Sequence, residues 1–189
     1  MDHHDVKMHK EKLINRILIL GSGGSGKSTL ARQLGGLLHL PVVHLDAHFW
    51  NPDWVPKPKE EWDELVRQYT DQEQWIIDGN YSRTMELRIK RADVIIFLDL
   101  PRILCMYRIV KRRLMYHNQT RPDMNEGCPE KLDWAFVKWV WNYKARSRAV
   151  TLERLKQTGA HQQVLIVNTR RQVKELVKNF ADAGIHSIA

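Results

Sequence analysis

Nine consecutive residues, Gly21-Ser22-Gly23-Gly24-Ser25-Gly26-Lys27-Ser28-Thr29, follow the order G-x-x-x-x-G-K-S. Glycines at this density let the backbone wrap around an anion with its N–H groups turned inward. A helix opening at Lys27 adds unpaired N–H donors and partial positive charge at the same point. The chemistry is that of a polyphosphate cradle, and all nine residues are candidate ATP contacts. Lys27 is placed to neutralise the β- and γ-phosphates, Ser28 to ligate Mg²⁺, and Thr29 to donate to the α-phosphate.

Three aspartates follow apolar runs and are the next candidates: Asp46 after Val42–Leu45, Asp78 after Trp75–Ile77 and Asp99 after Val94–Leu98. In an open parallel sheet, ligands collect at the carboxyl ends of the strands, so these acids are expected beside the phosphate cradle. Asp78 and Asp99 are the metal candidates alongside Ser28, since Mg²⁺ favours hard oxygen ligands and keeps several waters. Asp46 or Asp78 is expected to position an acceptor hydroxyl. His44 and His48 flank Asp46, but one lies inside the strand and the other beyond it, which suits packing or substrate contact better than zinc.

Between Phe49 and Pro58, three prolines forbid a helix, and Trp50 and Trp54 either form a platform for a flat acceptor or pack the loop down. Arg83, in the loop after Asp78, can pair with an anionic group on the acceptor. From Pro101 to Pro122 there are six basic residues and no acid. Of these, Arg108 and Arg112 are expected to act on the transferring phosphoryl group and Arg121 on the substrate, as part of a lid spanning about 101–125. Arg146 and Arg148 are expected to complete the clamp. The same arginines suit nucleic-acid phosphates, with Trp139, Trp141 and Tyr143 interleaved, so direct DNA binding stays open as the alternative.

The elements that must hold these residues are legible in the hydrophobic pattern. Five short Ile/Val/Leu-rich runs, at 16–20, 42–45, 75–77, 94–98 and 164–167, lack polar alternation, as strands covered on both faces do. Helical spacing fills the intervals at 27–38, 58–69, 103–115, 132–155 (one or two helices) and 172–183, with Gly184 as a stop. Alternation of this kind predicts a three-layer α/β sandwich around a parallel sheet.

The 189 residues fit one domain, with a polar extension over residues 1–14. Two separated cysteines, no run long enough to span a bilayer and a polar start predict a cytoplasmic protein without a membrane partner. Net charge is +8, and the whole excess sits in the second half: residues 1–95 carry −1 and residues 96–189 carry +9. An anionic partner is therefore expected.

Taken together, the phosphate cradle, Asp78-Gly79…Arg83, Leu98-Asp99-Leu100-Pro101 and Arg108–Arg113 resemble adenylate kinase and its relatives. The His44–Asp46 and Trp50–Trp54 stretch resembles the FlaR group, labelled DNA topology modulation proteins. The resemblance covers about residues 15–180. It implies a P-loop NTPase fold of the nucleoside- and shikimate-kinase type with a five-stranded core, Mg·ATP at the cradle, and Arg83 as the acceptor-binding arginine. Adenylate kinases carry Asp-Gly-Phe-Pro-Arg, where this chain has Asp78-Gly79-Asn80-Tyr81-Ser82-Arg83, and their monophosphate-binding segment is replaced by the proline–tryptophan loop. The expected activity is transfer of the γ-phosphoryl group of Mg·ATP to a nucleotide or another small molecule.

Overall fold

The computed structural model describes residues 13–117, 119–121 and 123–184. Five strands form one parallel sheet in the order β2-β5-β1-β6-β7: β1 (Arg16–Gly21), β2 (Val42–His44), β5 (Trp75–Asp78), β6 (Val94–Leu98) and β7 (Gln163–Val167). Side chains alternate across the pleat. Ile17 and Ile19 of β1 therefore join one buried cluster while Leu18 and Leu20 join another on the opposite face. This is why the run is apolar at every position.

One face is covered by α1 (Lys27–Leu38) and α8 (Arg170–Ala183), which contribute Leu30, Leu34, Leu176 and Phe180. Across the sheet lie α3 (Lys59–Asp71), α4 (Met85–Arg91) and α7 (Ala149–Leu155), through Trp62, Val66, Met85, Ile89 and Leu155. A third cluster joins α5 (Arg102–Met115) to α6 (Trp134–Tyr143) through Cys105, Ile109 and Val140. A π-helical turn, Lys144–Arg148, runs α6 directly into α7. Both cysteines are free and buried, and among the described residues no helix is long and apolar enough to cross a membrane.

Three local features differ from the sequence pattern. The second strand stops at His44, and a short helix, α2 (Leu45–Phe49), carries Asp46 in its first turn. The proline–tryptophan stretch is a two-stranded hairpin, β3 (Trp50–Asn51) and β4 (Val55–Pro56), reversed by a 3₁₀ turn at Pro52–Trp54. The turn sets Asp53 and Trp54 at φ 61° and 63°. Helix α4, at seven residues, is too short to leave a readable periodicity.

Candidate active site

The cradle begins where β1 ends at the centre of the sheet, and two glycines fix its path. Gly24 has φ 74°, and a Cβ there would run into the Cys105 carbonyl oxygen of α5. Gly26, at φ 98°, turns the chain into α1. The Ser22 and Ser25 hydroxyls are buried and lack a protein partner. Lys27 Nζ donates to the Ser22 carbonyl at 3.0 Å. Burial pushes the Lys27 ammonium below its ordinary value, while Asp46 and Asp78 pull it back. Orphaned hydroxyls and a desolvated ammonium converging on one loop at a helix N-terminus are what a polyphosphate would satisfy. The donor set therefore fits a nucleotide, and the Ser28 hydroxyl beside it is a hard-oxygen group of the kind Mg²⁺ takes.

The loop after β5 is held from three sides. Asn80 Oδ1 accepts from the Gly21 N–H at 3.1 Å, and Asn80 Nδ2 donates to the Gly21 carbonyl at 2.7 Å, which ties this loop to the start of the cradle. Arg88 is fully buried and donates to the carbonyls of Gly79, Asn80, Tyr81 and Thr84. Burial pushes its pKa down to about 9, so it stays charged at neutral pH. Tyr81, at φ 27°, donates its hydroxyl to Asp46 Oδ1 at 2.7 Å. One oxygen of Asp46 is thereby fixed, leaving the other as the group able to accept a hydroxyl proton.

All of this opens into one cleft of about 1480 Å³, lined by Gly23–Thr29, Asp46, Trp50, Trp54, Tyr81, Arg108, Arg112, Arg121 and Arg146 among others. A pocket for a single small ligand holds about 300–1,000 Å³, so there is room for a nucleotide and an acceptor together. Trp50 meets Trp54 edge to face at 5.6 Å, with the Lys131 ammonium over the Trp54 ring.

The remaining expected residues are distributed unevenly. Arg108 donates to the Ser25 carbonyl at 2.9 Å, a contact made possible because α5 is docked through Cys105 and Ile109. The lid expected over 101–125 thus begins with an anchored helix. Beyond it, Thr120 and Pro129 form a bridge, and Trp54 Nε1 of the hairpin donates to the Pro129 carbonyl.

Glu130, which the sequence did not single out, is buried next to this bridge. It takes Arg112 Nε at 2.8 Å and Arg121 Nε at 2.6 Å, one guanidinium on each carboxylate oxygen. Bound this way, Arg112 keeps its terminal NH₂ groups for another acceptor, while Arg121 donates through Nη1 to Asp123 Oδ2 at 3.0 Å and keeps Nη2. Arg154, Arg170 and Lys174 also line the cleft and were not anticipated.

Gly21 and Ser22 lie just off the cleft lining, and so do four expected charged residues. Arg83 is half-exposed and doubly bonded to Asp63 on α3. Asp78 is buried and taken by His44 Nδ1 at 2.8 Å. Asp99 is buried and held by Arg148 at 2.7 Å, with Lys144 at 3.8 Å, which ties the π turn to the end of β6 and occupies Arg148 as well. Among the described residues no group of three or more His, Cys, Asp or Glu side chains is arranged to hold a metal. His48 instead meets the Tyr69 hydroxyl at 3.0 Å.

The His44–Asp78 pair predicts a pH dependence. Burial works against the His44 imidazolium, but the hydrogen bond and charge of Asp78 outweigh it and raise its pKa above 6.5. A group whose folded pKa is raised contributes stability that is fully present below the unfolded value and is lost as pH rises through the folded value. Thermal unfolding should therefore show wild type losing its advantage over His44→Gln from about pH 6.5 upward. An NMR titration of His44 with its midpoint at or below the ordinary histidine value would contradict this.

No protein-family model and no curated protein matches the chain. Solved structures do. Shikimate kinase from Acinetobacter baumannii superposes with a TM-score of 0.54 at 15% identity, over 87% of this chain and 89% of that one. Shikimate kinase from Bacteroides thetaiotaomicron gives 0.53 at 18% identity, over 89% and 97%. A gluconokinase from Sinorhizobium meliloti 1021 gives 0.50 at 14% identity, over 88% and 89%. The chain shares the fold of these structures. As expected from the sequence, it is a three-layer sandwich on a five-stranded parallel sheet.

Proposed function

We propose that this chain is a Mg²⁺-dependent phosphotransferase that passes the γ-phosphoryl group of ATP to a small-molecule acceptor. The observation that carries the reading is the open oxygen of Asp46, steadied by Tyr81, in a cleft shared with the phosphate cradle and large enough for two ligands. When bound, Mg·ATP supplies the phosphoryl group and a cation that offsets charge on its oxygens.

The chain's own residues do the rest. The cradle amides and Lys27 hold the phosphates, Ser28 is the metal-facing hydroxyl, and Thr29 lies one residue beyond. Asp46 orients the acceptor hydroxyl and takes its proton, while Arg112 and Arg121, spaced by Glu130, face the charge that develops on transfer. Trp50 and Trp54 form the acceptor platform, and Arg146 the far wall.

With Arg83 engaged by Asp63, the acceptor end lacks the arginine that the adenylate-kinase resemblance implies. Anion recognition then falls to Arg121, Arg154 and Lys131. The kinase names of the structural neighbours agree with this reading in reaction class and in using a non-nucleotide acceptor.

ADP release from Mg·ATP, measured across sugar acids, hydroxy acids, nucleosides and nucleoside monophosphates, tests the proposal. One class should raise turnover well above the acceptor-free rate. Asp46→Asn should then lower kcat by about 10²–10⁴-fold with little change in nucleotide affinity. Turnover that no acceptor raises, together with DNA binding that weakens steeply with salt, would replace this reading with the nucleotide-gated DNA binder that the basic arginine segment leaves open.

A further inference from the structure

Helix α5 carries a second apolar face that the fold leaves uncovered. Ile103, Tyr107, Val110 and Leu114 are 72%, 62%, 44% and 75% exposed. Their spacing of four, three and four residues aligns them in one stripe, on the side of the helix opposite the buried Cys105 and Ile109. None of the four lines the cleft. At 100° per residue, Lys111 lies about 40° beyond one edge of the stripe and Arg113 about 60° beyond the other, with Arg102 further round toward the buried side.

Helix α6 extends this surface. Trp134, Lys138 and Trp141 share one of its faces at i, i+4 and i+7, and the Arg102 guanidinium lies 4.5 Å from the Trp141 ring, joining that face to α5. Trp134 is among the most exposed large side chains described, at 79%. Neither helix contains an aspartate or glutamate.

The charge pattern selects among occupants. Two copies of α5 packed against each other would set Lys111 and Arg113 against the same bases, with no acid on either helix to offset them. Nucleic acid would meet the bases but leave a row of aliphatic side chains against phosphates and water. An apolar stripe with cationic edges and tryptophans alongside matches an interfacial helix, whose apolar tips enter the acyl boundary while its bases stay among acidic headgroups.

We propose that the outer face of α5, extended by Trp134 and Trp141 of α6, docks on an anionic lipid surface, lying in the plane of the interface without crossing it. This stands independently of the catalytic reading, because the stripe is on the far side of α5 from the phosphate cradle.

Vesicle co-sedimentation of the full chain tests it, using phosphatidylcholine alone against phosphatidylcholine with about one-third phosphatidylglycerol. The protein should sediment with the anionic vesicles, far less with the neutral ones, and should be released as salt rises. The double variant Ile103→Ser/Leu114→Ser should weaken binding by about tenfold or more, and Lys111→Glu should weaken it with a smaller salt dependence. These side chains are exposed, so unfolding temperature and nucleotide binding should stay at the parental values, separating lost docking from lost folding. Failure of the parent to bind anionic vesicles, or equal binding by the double variant, would overturn the proposal. So would a dimer seen by light scattering and dissolved by Leu114→Ser, which would assign the stripe to a second copy.

Discussion

Lys27→Ala is expected to lower phosphoryl transfer by about 10²–10³-fold or more while leaving the ligand-free protein at least as stable as wild type. The two halves of this result have one cause. The ammonium sits in the cradle with a single backbone carbonyl as hydrogen-bond partner, and burial pushes its pKa down. A lysine whose folded pKa is lowered disfavours the folded state while it carries its charge. That cost is fully present below the folded value and fades as pH rises from there toward the unfolded value. Removing the charge relieves it. Bound polyphosphate does the same in wild type, so Mg·ATP should raise the unfolding temperature of wild type clearly and that of Lys27→Ala far less. Thermal shifts with and without Mg·ATP, set beside kcat for the acceptor found in the panel, check both halves. A variant that turns over normally would remove Lys27 from the mechanism, and a large loss of ligand-free stability would mean that its role is structural.

Arg88→Ala should be among the most destabilising single substitutions in the chain. It strips hydrogen bonds from four carbonyls, those of Gly79, Asn80, Tyr81 and Thr84, and leaves a cavity where a fully buried side chain stood. Each orphaned carbonyl costs roughly 1–3 kcal/mol, partly recovered by water entering the gap, for a total of about 3–5 kcal/mol. For a domain of this length that lowers the unfolding temperature by on the order of 10 °C. Arg88→Lys should rescue little, because one ammonium cannot span carbonyls that a planar guanidinium reaches together. Activity should fall further than stability explains, since this loop also fixes Asn80 against Gly21 and aims Tyr81 at Asp46. Calorimetry of both variants, with kcat measured well below their transitions, decides the point. A shift of only about 2 °C for Arg88→Ala would show that water replaces the guanidinium at little cost.

Both predictions concern backbone geometry, and they divide what the sequence could reveal from what it could not. The cradle was legible because its chemistry is local. Consecutive glycines, a preceding apolar run and a following helical period all lie within 16–38, and the structure places β1 and α1 within a residue of that reading. The sheet was legible for a related reason: strands buried on both faces must be apolar at every position, and little else in the chain is. The hairpin at 50–56 and helix α4 were not, being shorter than the periods that would betray them.

What the sequence alone determined is therefore the fold class, the glycine-rich loop between β1 and α1, and a set of charged residues near the carboxyl ends of the strands. Which of those charges face the cleft was decided by tertiary structure. Asp78, Asp99, Arg83 and Arg148 look as available in sequence as Asp46, Arg112 and Arg121. Each of the first four meets an oppositely charged or ionisable partner 20 to 49 positions away, in His44, Arg148, Asp63 and Asp99, and is consumed by it. Asn80 and Arg88 acquire their roles only when β5 is laid beside β1 and α4 folds beneath the loop, which brings backbone carbonyls within reach of them. A charged side chain is spoken for by whatever partner packing brings to it across tens of residues, and residue type and spacing cannot carry that information.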